Sequence, residues 1–193
     1  IVFQESPNKI EEMVWGLIPH WAKDPRIGNE LINARAESLL EKPAFKDSFL
    51  KRRCLIPADG FYEWKKEGKE KIPYYIKLKD NSIFAFAGLY DIWKREDGKL
   101  IKTFTIITTE PNDLVREIHN RMPVILRSED EKIWINKEEK NITKLLSLLK
   151  PYPSEEMEAY PVSKRVNNPS YDSEDLIKPI KIFYLKTQRN LDS

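Results

Sequence analysis

Few residues in this chain could move a proton or form a bond with a substrate. It has two histidines, one cysteine, and a glutamate set between two large aromatics. That glutamate, Glu63, ends the stretch Arg53-Cys54-Leu55-Ile56-Pro57-Ala58-Asp59-Gly60-Phe61-Tyr62-Glu63-Trp64, in which Gly60 reads as a tight bend. Flanking rings partly desolvate a carboxylate and raise its pKa, which suits it to proton transfer. The plainer alternative is an exposed strand glutamate whose neighbours alternate into the core. His119 follows an amphipathic stretch and precedes Asn120-Arg121, so it either interacts with a helix C-terminus or works beside a cation. His20, between Pro19 and Trp21, reads as a surface or packing residue. Asn33 interrupts an apolar run; buried without partners its amide would cost about 1–3 kcal/mol. It either ties down a loop or holds an oxygen of a bound intermediate. Trp15, Trp21 and Trp64 read mostly as core, yet Trp21 sits in a polar loop where its flat ring could instead stack on a base. Cys54 lies inside an apolar run and reads as a core thiol.

Composition narrows the partners. The 193 residues fit one domain, and 40% hydrophobic with 11% aromatic residues can fill its core. Lys and Arg number 33 against 31 acids, a net +2, so nucleic-acid binding would rest on a local patch rather than on overall charge. Candidate patches are Lys51-Arg52-Arg53, Arg35 with Lys42, Arg121, and Lys164-Arg165, each of which could equally be a solvated face. One cysteine rules out an internal disulfide framework and a cysteine zinc cluster, and suggests a reducing, cytoplasmic setting. No apolar run reaches membrane-span length and no secretory signal is visible. Six glycines without phosphate-loop spacing, and no clustered metal ligands, leave no cofactor and no metal expected.

The elements that must position these residues read as follows. Ile1-Val2-Phe3 is a strand already under way, so residues upstream are expected to be missing; Met13 to Pro19 is a second strand. Leu31 to Glu37 is expected to run into a helix, and a second helix with Phe45 and Phe49 on one face follows Pro43. Glu67-Gly68 marks a hairpin tip, Ile83 to Tyr90 a strand buried on both faces, and Asp97-Gly98 a turn into the strand Leu100 to Thr109. Pro111 is placed in the first turn of a helix bearing Leu114, Val115 and Ile118, and Ser128 with Glu131 forms a capping box. A leucine-rich helix precedes Pro151, and short strands are expected at Tyr160 to Val162 and Ile180 to Leu185. The fold class is α+β: a curved, barrel-like antiparallel sheet with peripheral helices, residues 1–193 forming a single domain.

Four motifs in one order resemble the SOS response-associated peptidase (SRAP) family: Trp-Gly-Leu-Ile-Pro at 15–19, Asn-Ala-Arg-Ala-Glu at 33–37, Pro-Ala-Asp-Gly-Phe-Tyr-Glu-Trp at 57–64, and Ile-His-Asn-Arg-Met-Pro at 118–123. Pro161-Val162-Ser163 through Val166-Asn167 also matches. The resemblance implies an SRAP-like fold and a protein that shields abasic sites in single-stranded DNA. Family members begin Met-Cys-Gly-Arg. Removal of the methionine exposes a cysteine whose α-amine attacks the ring-opened sugar aldehyde and whose thiol closes a thiazolidine. An α-amine with a pKa of about 7.7–8.0 is partly neutral at pH 7, as that attack requires.

Carried over by motif, Glu63 is the acid/base group, His119 protonates or orients the sugar oxygen, and Asn33 holds the N-terminal residue and the adduct. Arg35 and Arg121 bind the flanking phosphates, Trp21 stacks on a neighbouring base, Lys42 is a basic DNA contact, and Thr108 lines the site. The Met-Cys-Gly-Arg segment is not present in this sequence, and Cys54 does not match the family nucleophile. The expected protein is a monomer acting on single-stranded DNA with abasic sites, with autoproteolytic activity, and without membrane association. A non-covalent single-strand binder and a cysteine peptidase stand as the alternatives.

Overall fold

A computed structural model describes residues 1–180. Their contacts form two compact units, each assembled from separate segments of the chain. The first takes residues 1–58, 83–110 and 121–152, and the second takes 59–82, 111–120 and, among the described residues, 153–180.

The first unit contains β1 (Val2–Phe3), β2 (Val14–Trp15), β3 (Asn33–Arg35), α1 (Pro43–Lys51) and β4 (Arg53–Ala58). In the second unit, β5 (Phe61–Glu67) and β6 (Glu70–Leu78) form a hairpin. The chain returns to the first unit with β7 (Phe84–Lys94) and β8 (Leu100–Thr109), and α2 (Asp113–Arg116) belongs to the second. The first unit closes with β9 (Met122–Pro123), β10 (Ile125–Leu126), α3 (Ser128–Ile135) and α4 (Ile142–Ser147), and β11 (Met157–Pro161) completes the second.

The α+β class stands. Eight strands form the larger sheet, with the path β1-β4-β7-β8-β2 and the short β3, β9 and β10 paired at its sides. The path ends at β1 and β2, so the sheet is open rather than closed into a barrel. It is also mixed, because β2 and β3 run parallel to β8. The central strand β7 is buried along nearly its whole length, as its apolar run requires. The core of this unit joins Phe45 and Phe49 of α1 to Trp134 of α3 and to Ala85, Ala87 and Leu89 of β7. In β8 the buried side carries Thr103 and Thr105 as well as Ile107. The Thr103 hydroxyl accepts the Ile18 N–H at 2.8 Å, which docks the loop that follows β2. The smaller sheet has the order β11-β6-β5 and is antiparallel throughout.

Several local expectations change. Asn33-Ala34-Arg35 is a strand, not the start of a helix. Its alternation buries Ala34 and turns Asn33 and Arg35 outward together. Pro111 precedes α2 rather than opening it. Asn112 is the cap, its side-chain oxygen accepting the Val115 N–H at 2.9 Å. No capping box forms at α3, because Ser128 is already inside the helix and Arg127 occupies the cap position without a side-chain bond. Gly60 does not adopt a positive φ. A Cβ there would come within 2.3 Å of the Tyr75 ring, so the glycine makes room for an aromatic. Gly16 does need its conformation: φ is +113°, and a Cβ would meet the Gly28 carbonyl at 2.5 Å. The expected strand Ile180 to Leu185 lies, past Ile180, outside the described residues.

Candidate functional site

The second unit brings Glu63 and His119 together across 56 positions of sequence that the local pattern could not bridge. Strand β5 carries Glu63 opposite Tyr74 of β6, half-buried among its neighbours. Helix α2 ends within one turn, and the His119 N–H closes onto the Val115 carbonyl at 2.8 Å. The imidazole Nδ1 then lies 3.5 Å from Glu63 Oε1, with side chains 41% and 20% exposed. Burial raises the Glu63 carboxyl above its ordinary range, more than the neighbouring imidazole and the Trp64 N–H lower it. A carboxyl so held keeps its proton further toward neutral pH, and the adjacent imidazole gives that proton a partner.

Around the pair, Trp64 is not a core side chain. Its indole N–H donates to the Asn167 side-chain oxygen at 2.8 Å, joining two of the family motifs. Tyr62, Tyr75 and Tyr160 form an aromatic group with ring centroids 5.3 and 6.0 Å apart, and the Tyr75 hydroxyl donates to Asp59 at 3.2 Å. Asp59 and Asn167 were quoted in the motifs, but nothing in their local sequence assigned them these contacts.

The first unit assembles a different set. Strand β3 lies against β8 with Asn33 opposite Ile106 and Arg35 opposite Thr108, and β9 pairs with the same end of β8. Asn33 and Arg35 are exposed, so Asn33 is not the buried amide considered from its apolar surroundings. Arg121 directs its guanidinium back onto this end. One outer nitrogen donates to Glu37 Oε1 at 2.8 Å, the other to Glu37 Oε2 at 2.9 Å and to the Thr108 carbonyl at 2.7 Å. Glu37 is the residue that sequence reasoning passed over. It was inside a motif, but its partner is 84 positions away.

Trp21 and Lys42, the remaining candidates in this unit, are exposed, and no described contact joins them to the others. The backbone around Trp21 is nonetheless fixed. The His20 N–H and ring Nδ1 lie 2.9 and 3.0 Å from buried Asp91 Oδ2, and the Ala22 carbonyl accepts the Trp93 indole N–H at 2.7 Å. Asp91 also pairs with Arg52 at 3.1 Å. His20 is thus a packing residue that holds the loop while the Trp21 ring is left 52% exposed.

Most of the proposed basic patches are occupied internally. Arg53 is fully buried and donates to backbone carbonyls. Lys164 pairs with Glu70 at 2.9 Å and Arg165 with Asp175 at 3.4 Å. Cys54 is fully buried, and burial pushes its thiol up, which fits a core thiol. Among the described residues no group of three or more His, Cys, Asp or Glu could hold a metal ion, and no helix is long and apolar enough to cross a membrane.

The family model described as SOS response associated peptidase (SRAP) matches residues 1–169. Abasic site processing protein YoqW of Bacillus subtilis is 52% identical over 179 residues, covering 92% of this chain and 80% of that protein. Abasic site processing protein HMCES of Gallus gallus is 33% identical over 202 residues, covering 92% of this chain and 59% of that protein. A crystal structure of a protein from Bacteroides thetaiotaomicron superimposes with a TM-score of 0.82 at 39% identity, covering 86% of this chain and 75% of that one.

Proposed function

Because the chain belongs to the SOS response associated peptidase family, we propose that it processes abasic sites, engaging them as a monomer in single-stranded DNA and joining to them covalently. The bond would form to the family's N-terminal cysteine, which is not among these 193 residues. Attack of its α-amine on the sugar aldehyde gives a carbinolamine. Loss of water from that species gives an imine and needs an acid, and addition of the thiol to the imine closes the thiazolidine with no further reactant.

Glu63 beside His119 is the observation that carries the proposal. A half-buried carboxyl with a raised pKa can donate the proton that dehydration requires and take it back on reversal. The autoproteolysis that the family's name points to is read onto the same pair. Asn33 would hold the adduct, Arg35 and Arg121 the flanking phosphates, and Trp21 a neighbouring base. Lys42 would add a basic contact, with Thr108 lining the site. Cys54, buried and with its thiol pushed up, argues against a peptidase that uses the chain's own cysteine as nucleophile.

The test is intact-mass spectrometry of the protein expressed from its complete reading frame, incubated with an abasic single-stranded oligonucleotide. A DNA-sized mass gain is expected, blocked when the aldehyde is capped with an alkoxyamine. Glu63→Gln should slow its formation roughly 10²–10⁴-fold with DNA affinity kept. Binding without any mass gain would leave the non-covalent reading, and an unslowed Glu63→Gln would remove the acid/base role.

A further inference from the structure

Glu37 occupies the guanidinium fork of Arg121. Its carboxylate meets the two outer nitrogens of Arg121 side by side, at 2.8 and 2.9 Å, the same fork that a phosphate oxygen pair would use. The third short bond, from Arg121 to the Thr108 carbonyl at 2.7 Å, fixes the guanidinium plane on β8 rather than on the acid. Arg35 adds its charge: Glu37 is held below the usual carboxylate range first by the hydrogen bond from Arg121, and further by the charges of Arg121 and Arg35. One anion therefore lies in the field of both arginines assigned to DNA phosphates. Glu37 is also the exposed member of the pair, 55% against 20% for Arg121, so the acid and not the arginine is free to move into solvent. The cavity of about 520 Å³ that it borders carries Glu41 and Glu110, and a displaced carboxylate would find no cation among those lining residues.

We propose that Glu37 is a built-in phosphate mimic, which occupies the Arg121 fork in the DNA-free protein and is displaced by a backbone phosphate of the bound strand. Binding is then an exchange of one anion for another. Contacts elsewhere on the strand must supply the driving force, which disfavours DNA that offers phosphates alone. The proposal rests on the reading of Arg35 and Arg121 as phosphate contacts, and its test separates the two.

In one arm, Glu37→Gln, Glu37→Ala, Arg121→Ala and the Glu37→Gln/Arg121→Ala double variant are titrated with an undamaged single-stranded oligonucleotide across a salt series. Both Glu37 variants should bind roughly fivefold more tightly, the scale of one exposed ion pair. Their salt slope should be steeper by about 0.7, because the arginine then releases a full counterion equivalent. Arg121→Ala should cancel both gains. In the second arm, inorganic phosphate is titrated while the Arg121 side-chain N–H resonance is followed by NMR. A saturable shift is expected at lower phosphate concentration in Glu37→Gln than in the parent. If no form binds DNA but the phosphate arm responds, the mimic stands and the DNA reading falls. Weaker or unchanged phosphate binding in both Glu37 variants would overturn the mimic and leave Glu37 as a brace for Arg121.

Discussion

Replacing Arg53 with methionine should destabilise the fold and leave the salt dependence of DNA binding unchanged, although Arg53 lies in the most basic tripeptide of the central motif. The guanidinium is fully buried. It donates to the carbonyls of Trp134 at 2.7 Å, Asn136 at 2.8 Å and Phe49 at 3.0 Å, with longer bonds to Glu139 at 3.2 Å and Leu50 at 3.3 Å. The three short bonds tie the end of α1 to the end of α3 and are each worth about 1.5–3 kcal/mol. Against them stands the cost of burying the charge. Burial pushes the group below its ordinary value to about 10, still charged at pH 7, which corresponds to roughly 3 kcal/mol. The balance is a loss of roughly 2–5 kcal/mol on substitution, or about 10 °C in Tm for a chain of this size. Arg53→Lys should fall between, since one ammonium cannot serve carbonyls from two helices. Thermal melts followed by circular dichroism give the first quantity and fluorescence anisotropy against salt the second. A Tm within about 3 °C of the parent would refute the argument, as would a folded Arg53→Met whose salt slope has dropped.

Glu63→Gln should be at least as stable as the parent at neutral pH. The folded carboxyl binds its proton more tightly than the unfolded one, so ionising it costs stability as pH rises above the ordinary value of 4.5. The advantage of the glutamine should shrink as pH falls toward that value, and a variant less stable at pH 7 would contradict this. Arg35→Ala should lower the salt slope of single-strand binding by about 0.7; an unchanged slope would take Arg35 out of the interface. Cys54→Ser should leave the DNA-sized mass gain intact in the complete protein; its loss from a folded variant would make Cys54 the nucleophile.

The sequence was most legible where local rules act alone. Glu67-Gly68 and Asp97-Gly98 both lie at chain reversals, with φ of +60° and +85° at the glycines; the first is a two-residue turn between the paired Glu67 and Glu70, whereas the second sits in a longer loop between the paired Lys94 and Leu100. The strand from Leu100 to Thr109 begins and ends as its alternation implied. Asn33 to Arg35 misled because three residues are too few to show a period. They are strand only because β8 lies alongside to accept them, a partner some 70 residues on. The Glu63–His119 pair behaved differently. Glu63 was marked by its flanking rings and His119 by its neighbours, but their 3.5 Å approach depends on β5 and α2 meeting within one unit. The motifs named the residues; the fold alone supplied the distance between them.

Charge shows the same division between composition and placement. A net +2 suggests a weak partner for DNA, and a run such as Lys51-Arg52-Arg53 invites the opposite conclusion. Neither counts what each cation already holds. Arg53 is committed to carbonyls, Arg52 to Asp91, and Arg121 to Glu37. The first two are bound to groups no ligand can replace, because buried carbonyls and a buried carboxylate would be left unpaired at a cost of several kcal/mol. Arg121 alone among these three faces an acid that is more than half exposed, and water can take that acid's place at little cost. On the proposed reading of Arg121 as a phosphate contact, what decides is how exposed the internal partner is, not how many arginines the motif contains.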